Sequence, residues 1–396
     1  MSSVVPGTSA GLRESLSSAA SADGSGGDQA RLLAAYLQPV PEPDLAGIEP
    51  DALAATVAAH LALGATRQPG EHLLRVFTPG ELPALGTDGS TLALVVTDDR
   101  PFLVDTITME LTGQGWSLRR LYHPQLRVAR DAIGRLTDLA AGEDGIPESW
   151  IAIEIYPPLG EAADGLVEPL LGGLRQALEA LAVVVSDWQP MLARARAAAD
   201  ELRQQATPEA SEAVELLDWL ASDNFVFLGC ADYMLADGSF VPVPDSGLGI
   251  LTGASEPDAT TVPAPGERDP LVLVRDSRRS PVHRPVYLEH LAVRRYAADG
   301  SLAVEHRFLG LLAVSAYTES VANIPVLAAK GDRLLARSGF APHSYGWNAV
   351  RQVVATYPRD ELFEASVDEL APIVAAVAAL RERRQTRIFL RRARYG

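Results

Sequence analysis

Asp98-Asp99-Arg100-Pro101-Phe102-Leu103-Val104-Asp105 is the stretch on which the reading of this chain turns. Before it, Leu92-Ala93-Leu94-Val95-Val96-Thr97 is a short continuous apolar run, the pattern of a buried strand. After it, apolar residues run through Ile107, Met109 and Leu111 to Gly113 and Gly115, long enough for a helix and closed by glycine. The segment between them is a polar elbow. Asp98 or Asp99 can cap the helix, and Pro101 suits its first position, where a missing N–H costs nothing.

Working outward, Glu71 to Phe77 reads as a strand and Gly86-Thr87-Asp88-Gly89 as a turn leading into the apolar run. Trp116 to Arg130 is extended with a break at Pro124, and Trp150 to Tyr156 alternates as a strand. Leu166, Leu170, Leu174, Leu178 and Leu181 recur at helical spacing, and Val183-Val184-Val185 reads as a short closing strand before Pro190. Strand, helix, two strands, helix, strand is the ferredoxin-like split order, an antiparallel sheet with both helices on one face, in an α+β chain. Two helices, Met191 to Ala206 and Pro208 to Ala221, read as a connector. A β-rich segment starts at Phe225, with turns at Ala236-Asp237-Gly238 and Ala298-Asp299-Gly300; the second joins Val286–Tyr296 to Leu302–Tyr317 as a long hairpin. Residues 253–269 read as a proline-rich surface loop. Helices follow over Trp347–Thr356 and Asp360–Arg384, and Thr386 to Arg392 reads as an opening strand with nothing after it to pair with, as in a chain cut short.

The 396 residues predict two or three domains, and a hydrophobic share of 47% is ample for cores. Residues 1–28 are rich in Ser, Gly and Ala and read as a disordered tail. The formal charge of -17 argues against a nucleic-acid or anionic-membrane surface. No apolar run approaches the ~18 residues that span a bilayer, and no signal-peptide order opens the chain, so a soluble, cytoplasmic protein is expected. The single Cys230 excludes an intrachain disulfide and a cysteine-rich zinc site, and its apolar strand predicts a buried thiol.

Candidate sites are few. Asp99 and Asp105 flank Arg100, but a cap and an exposed ion pair explain them more cheaply than paired catalytic carboxylates. His283, His290 and His306 lie in or beside the predicted hairpin without metal-site spacing. Ser280 and His283 lack a nucleophile elbow, and Arg278, Arg279, His283 and Arg284 suit an anion-contacting or interdomain loop. Gly247-Leu248-Gly249 lacks the third glycine of a dinucleotide fingerprint, since Thr252 stands in its place. No catalytic, cofactor-binding or metal-binding residue is predicted.

The elbow block, Asp223-Asn224-Phe225-Val226-Phe227-Leu228-Gly229, Ser280-Pro281-Val282-His283-Arg284-Pro285-Val286-Tyr287, Arg307-Phe308-Leu309-Gly310-Leu311 and Tyr357-Pro358-Arg359-Asp360-Glu361-Leu362-Phe363 occur in an order that resembles the N-terminal region of the large, multidomain NAD-specific glutamate dehydrogenases of bacteria. The resemblance implies ACT-type sensor domains and a PAS-like domain here, with glutamate oxidation and NAD binding in a later region. On that basis the expected layout is a tail at 1–28, a helical lead-in at 29–69, an ACT-type domain at 70–188 and a connector at 189–222. A PAS-like domain at 223–345, helices at 346–384 and the first strand of a truncated second ACT-type domain at 385–396 complete it. ACT domains commonly hold an amino acid where the first strand meets the first helix, which makes Asp98, Asp99, Arg100, Pro101 and Phe102 an effector-binding or interface elbow. The family pattern has glycine after the proline; here Phe102 stands there, and its ring could fill the pocket. The expected partners are the remainder of the dehydrogenase polypeptide, further copies of the chain and an amino-acid effector. The competing expectations are a stand-alone amino-acid sensor and a purely architectural oligomerisation region.

Overall fold

A computed structural model describes residues 27–41, 45, 47–83, 85, 89–205, 207–254, 268–297, 299–380 and 386–390. The tail at 1–26, most of the turn at 86–89 and most of the loop at 253–269 lie outside the described residues. The chain divides into two units, residues 1–182 with 281–284, and residues 183–280 with 285–396.

The first unit is built on an antiparallel sheet. Its strands are β1 (Leu73–Phe77), β2 (Thr91–Asp98), β3 (Ser117–Tyr122), β4 (Gln125–Arg130), β5 (Leu136–Asp138) and β6 (Ile146–Tyr156). They run in the order β1-β2-β6-β4-β5, with β3 also on β6, and β2 pairs with β6 from Thr91↔Ile155 to Asp98↔Glu148. Every residue of β2 but the last is buried, so both sheet faces are covered. Leu92, Leu94 and Val96 pack with α1 (Gly27–Leu37) and α2 (Pro50–Gly64) through Leu33, Tyr36, Leu53 and Val57. By strand alternation Ala93, Val95, Ile151 and Ile153 point the other way, the side closed by α3 (Leu103–Gly113) and the first half of α4 (Val167–Arg203). Gly173 lets α3 and α4 meet, since a Cβ there would fall 2.0 Å from Glu110 Oε1.

Two expectations change here. Val183-Val184-Val185 forms no strand but lies inside the 37-residue α4, which also runs through Pro190. Proline costs ~3 kcal/mol in a helix interior, yet one buried stripe, Leu170, Leu174, Leu178, Leu181, Val184, Met191 and Ala195, continues across it. Burial of that stripe outweighs the local preference of the valines. No strand therefore follows α4 in this sheet, and the free edge of β2 is taken by β1 instead. Within residues 163–203 one 18-residue window reaches a mean hydropathy of 1.2, so by length and composition alone this helix could cross a membrane; the apolar stripe just named is buried in protein.

The second unit carries another antiparallel sheet, of β7 (Phe225–Ala236), β8 (Ser239–Pro242), β9 (Leu248–Gly249), β10 (Leu271–Arg279), β11 (Tyr287–Tyr296) and β12 (Leu302–Leu312). The order is β10-β11-β12-β7-β8, with β9 on β7. The hairpin predicted around Gly300 is β11–β12, with Gly300 at φ +83° in its turn. It ends sooner than expected, because Val314–Thr318 forms the short helix α6. The second half of α4 and α5 (Pro208–Trp219), capped by Thr207, cover one face with Met191, Leu202 and Leu217 against Phe227, Cys230, Leu291 and Phe308. Helices α7 (Leu327–Arg337), α8 (Tyr345–Thr356), α9 (Arg359–Glu364) and α10 (Val367–Ala378) bury Leu327, Leu334, Val350, Leu362 and Leu370 together. The single helix expected over 360–384 is thus two, divided at Ser366, which opens α10 with a reciprocal capping box to Glu369. Residues 386–390 adopt no strand, and Ile388 and Leu390 stand exposed.

Candidate functional site

The elbow closes β2 and opens α3, and charge fixes it. Asp98 accepts from Arg67, and from Arg100 Nη2 at 2.8 Å. Arg67 Nη1 also reaches Glu148 Oε1 at 2.7 Å, and Arg130 grips Glu148 with two bonds of 2.7 and 2.8 Å. The indole of Trp150 donates to Glu148 Oε2 at 3.0 Å. Arg67 and Glu148 are fully buried. Burial pushes the carboxyls of Asp98 and Glu148 up, but the arginines outweigh it and hold both below the usual carboxylate range. Asp99 points elsewhere, accepting from Ser149 Oγ at 2.7 Å and from Gln125 Nε2 at 3.0 Å. Neither aspartate is the side-chain cap of α3; both are held by the sheet.

Phe102 is the N-cap of α3 and has φ 63° and ψ 9°, the left-handed conformation that glycine adopts without strain. The elbow thus keeps a glycine-type backbone while carrying a ring. That ring lies 4.3 Å, centroid to centroid, from the imidazole of His283, in the segment Pro281–Arg284 that belongs to the first unit. His283 donates its backbone N–H to Thr106 Oγ1 at 3.0 Å and places Nδ1 3.1 Å from Asp105 Oδ2. Burial lowers the His283 pKa, against the pull of Asp105. An aromatic pair therefore stands at the N-cap of α3.

The four residues grouped as an anion-contacting loop separate. His283 and Arg284 join the elbow's unit, whereas Arg278 pairs with Asp276 in its own strand, Nη2 to Oδ2 at 2.6 Å, and Arg279 lies over the Tyr287 ring at 5.2 Å. The glycines of Gly247-Leu248-Gly249 have a packing role. A Cβ on Gly249 would meet the Leu228 carbonyl oxygen at 2.1 Å, and the Gly249 N–H donates to Asp187. Gly249 pairs with Gly229 of β7 in close backbone contact, and a Cβ on Gly247 would meet the Leu251 carbonyl oxygen at 2.1 Å, so neither glycine is open to a pyrophosphate. Cys230 is buried, and burial raises its thiol pKa to about 11.

Sequence reasoning missed Arg67, Arg130 and Glu148, and a second buried network on β11 and β12. There Arg294 Nε reaches Glu305 Oε2 at 3.0 Å, Arg307 Nη2 reaches Glu305 Oε1 at 2.8 Å, and the Arg307 guanidinium lies 4.0 Å above the Tyr233 ring. The sequence signal for Arg130, Glu148, Arg294, Glu305 and Arg307 was a charge inside a strand, and Arg67, which lies outside the strands, carried none. Among the described residues no group of three or more side chains is placed to hold a metal ion.

Residues 32–166, which hold this sheet and its strand-to-helix elbow, match a family model for the glutamate dehydrogenase ACT1 domain. A second family model, glutamate dehydrogenase helical motif 1, matches residues 324–383, the helices α7 to α10. The NAD-specific glutamate dehydrogenase of Halomonas elongata is 31% identical over 77% of this chain, and that of Pseudomonas aeruginosa 32% over 82%. That of Mycobacterium tuberculosis is 30% identical over 85%. The chain belongs to the family of the large bacterial NAD-specific glutamate dehydrogenases. It spans about a fifth of the length of these relatives, 20%, 21% and 20% in turn.

Proposed function

We propose that this chain is the N-terminal regulatory and assembly region of an NAD-dependent glutamate dehydrogenase. In the whole protein L-glutamate is oxidatively deaminated to 2-oxoglutarate and ammonia with reduction of NAD, in the cytoplasm, on residues outside this chain. The carrying observation is that an ACT1 match and a helical-motif match occur on one chain that spans about a fifth of the length of its relatives. The chain's own chemistry agrees: buried Glu148 and Glu305 are each joined to arginines in ion-pair networks, and the Gly-x-Gly segment serves strand packing. At the elbow the geometry favours an architectural role over effector binding, because Asp98 and Asp99 are committed to ion pairs and hydrogen bonds and the Phe102 ring at the N-cap of α3 packs on His283.

The test compares the full-length enzyme with a form lacking these residues, and assays the isolated chain for glutamate-dependent NAD reduction. The isolated chain is expected to be inactive, and the shortened enzyme to change in assembly or effector response. Activity in the isolated chain would overturn the assignment. An unchanged oligomeric state and effector response in the shortened enzyme would overturn the regulatory and assembly role.

A further inference from the structure

Helices α7 and α8 form two walls of a cleft of about 330 Å³, and the turn Val321–Asn323 forms the third. Ala328, Gly331, Asp332 and Leu335 of α7 stand at i, i+3, i+4 and i+7, one face of the helix; Trp347, Arg351 and Val354 of α8 stand at i, i+4 and i+7, one face of the other. The floor is apolar and shallow-sided at Gly331, where an added Cβ would lie 3.6 Å from Val354 Cγ1 and 3.8 Å from Val321 Cγ1. A glycine in a helix interior costs ~1 kcal/mol relative to alanine, so its position at the cleft floor keeps the space open at a stability cost.

Two charges of opposite sign line this apolar space. The Arg351 guanidinium lies 5.3 Å from the centroid of the Trp347 ring, which orients it. Asp332 is on the facing wall. Among the described residues neither Asp332 nor Arg351 takes part in an ion pair, although other exposed charges of the same helices do, as Arg337 with Asp368 at 2.6 Å. A cleft of this size suits a small molecule and not a dinucleotide. A dicarboxylate would set one acid against Asp332, and a diamine would set one cation against Arg351. A zwitterion with an apolar side chain meets all three features.

We propose that the α7–α8 cleft binds a free α-amino acid with an apolar side chain. Arg351 receives its carboxylate and Asp332 its ammonium group, while the side chain lies against Trp347, Leu335 and Val354. The site is separate from the strand-to-helix elbow and makes no use of it. It is also read by binding alone, so its failure leaves the dehydrogenase assignment standing.

Calorimetric titration of the 396-residue chain with L-leucine and L-phenylalanine tests this, beside N-acetyl-L-leucine, which lacks the ammonium, and L-leucinamide, which lacks the carboxylate. The expected result is binding of a free amino acid that weakens by about tenfold or more, about 1.4 kcal/mol or more, in each blocked compound and in both Asp332→Asn and Arg351→Gln. Both side chains are exposed, so the variants are expected to fold; circular dichroism checks this. No binding of either amino acid at millimolar concentration would overturn the proposal. Binding that survives both cleft substitutions, or self-association of the chain that Arg351→Gln abolishes, would overturn it as well, the latter by showing that a second copy covers this face.

Discussion

Replacing Glu148 by glutamine is the most exacting test of what fixes the elbow. The carboxylate is 0% exposed, within 2.7 Å of Arg67 Nη1 and of Arg130 Nε, and accepts from the Trp150 indole. Glutamine keeps the shape but leaves two buried guanidiniums without their shared carboxylate, a change of the kind that costs about 3–5 kcal/mol. At roughly 2–4 °C per kcal/mol for a domain of 150–250 residues, the first unit should melt about 6–20 °C lower. Because the two units need not unfold together, hydrogen exchange at the β2 and β6 amides is the assay that assigns the loss to this sheet. Acid provides an independent arm. The folded-state pKa values of Asp98 and Glu148 lie below their ordinary 3.8 and 4.5, so their contribution is present above that range and is lost as pH falls through the folded values. Glu148→Gln should therefore flatten the acid limb of stability as well as lower the plateau. A loss under about 1 kcal/mol, the level of an exposed pair, or an acid limb identical to that of the parent protein, would refute the reasoning.

Three further outcomes follow from named contacts. Phe102→Gly should be more stable than Phe102→Ala by about 1 kcal/mol in thermal melts, since both lose the ring but only alanine keeps the strain of φ 63°; equal stability would mean that the left-handed backbone is not retained. Lys330 donates to the carbonyls of Leu362, Phe363 and Ala365 at 2.6, 3.0 and 2.9 Å, and Lys330→Met leaves them buried without a donor, at about 1–3 kcal/mol for each unsatisfied group. Urea unfolding followed at α9 should reveal the loss, and an unchanged midpoint would count against this role. His306 lies 2.9 Å from Asp232 Oδ1 and 3.4 Å from Glu201 Oε2; burial lowers its pKa, but the two carboxylates prevail and raise it above 6.5. Its stabilisation is thus fully present below pH 6.5 and lost as pH rises through the folded value, so urea midpoints of the parent protein should fall more between mildly acid and mildly basic pH than those of His306→Gln. Parallel pH dependences in the two proteins would exclude the link.

What the sequence settled by itself was local. The buried strand at Leu92–Thr97, the elbow, the helix after it, the strand ending at Tyr156 and the hairpin around Gly300 are each written in adjacent residues, through apolar period and turn chemistry. The collinear blocks also carried the family resemblance. Tertiary structure decided the rest, because the deciding partners are far apart along the chain. Val183-Val184-Val185 favours a strand on local preference, yet the buried stripe on either side of it keeps α4 helical through Pro190. The lead-in helices became the second cover of the first sheet, which only the burial of Leu92, Leu94 and Val96 against Leu33 and Leu53 reveals. Glu148 finds Arg67 81 positions away, and the Phe102 ring meets His283 from a distant segment. A charge at an otherwise apolar strand position signals that a partner is required, but long-range pairing carries no period, so only the fold identifies which residue answers it.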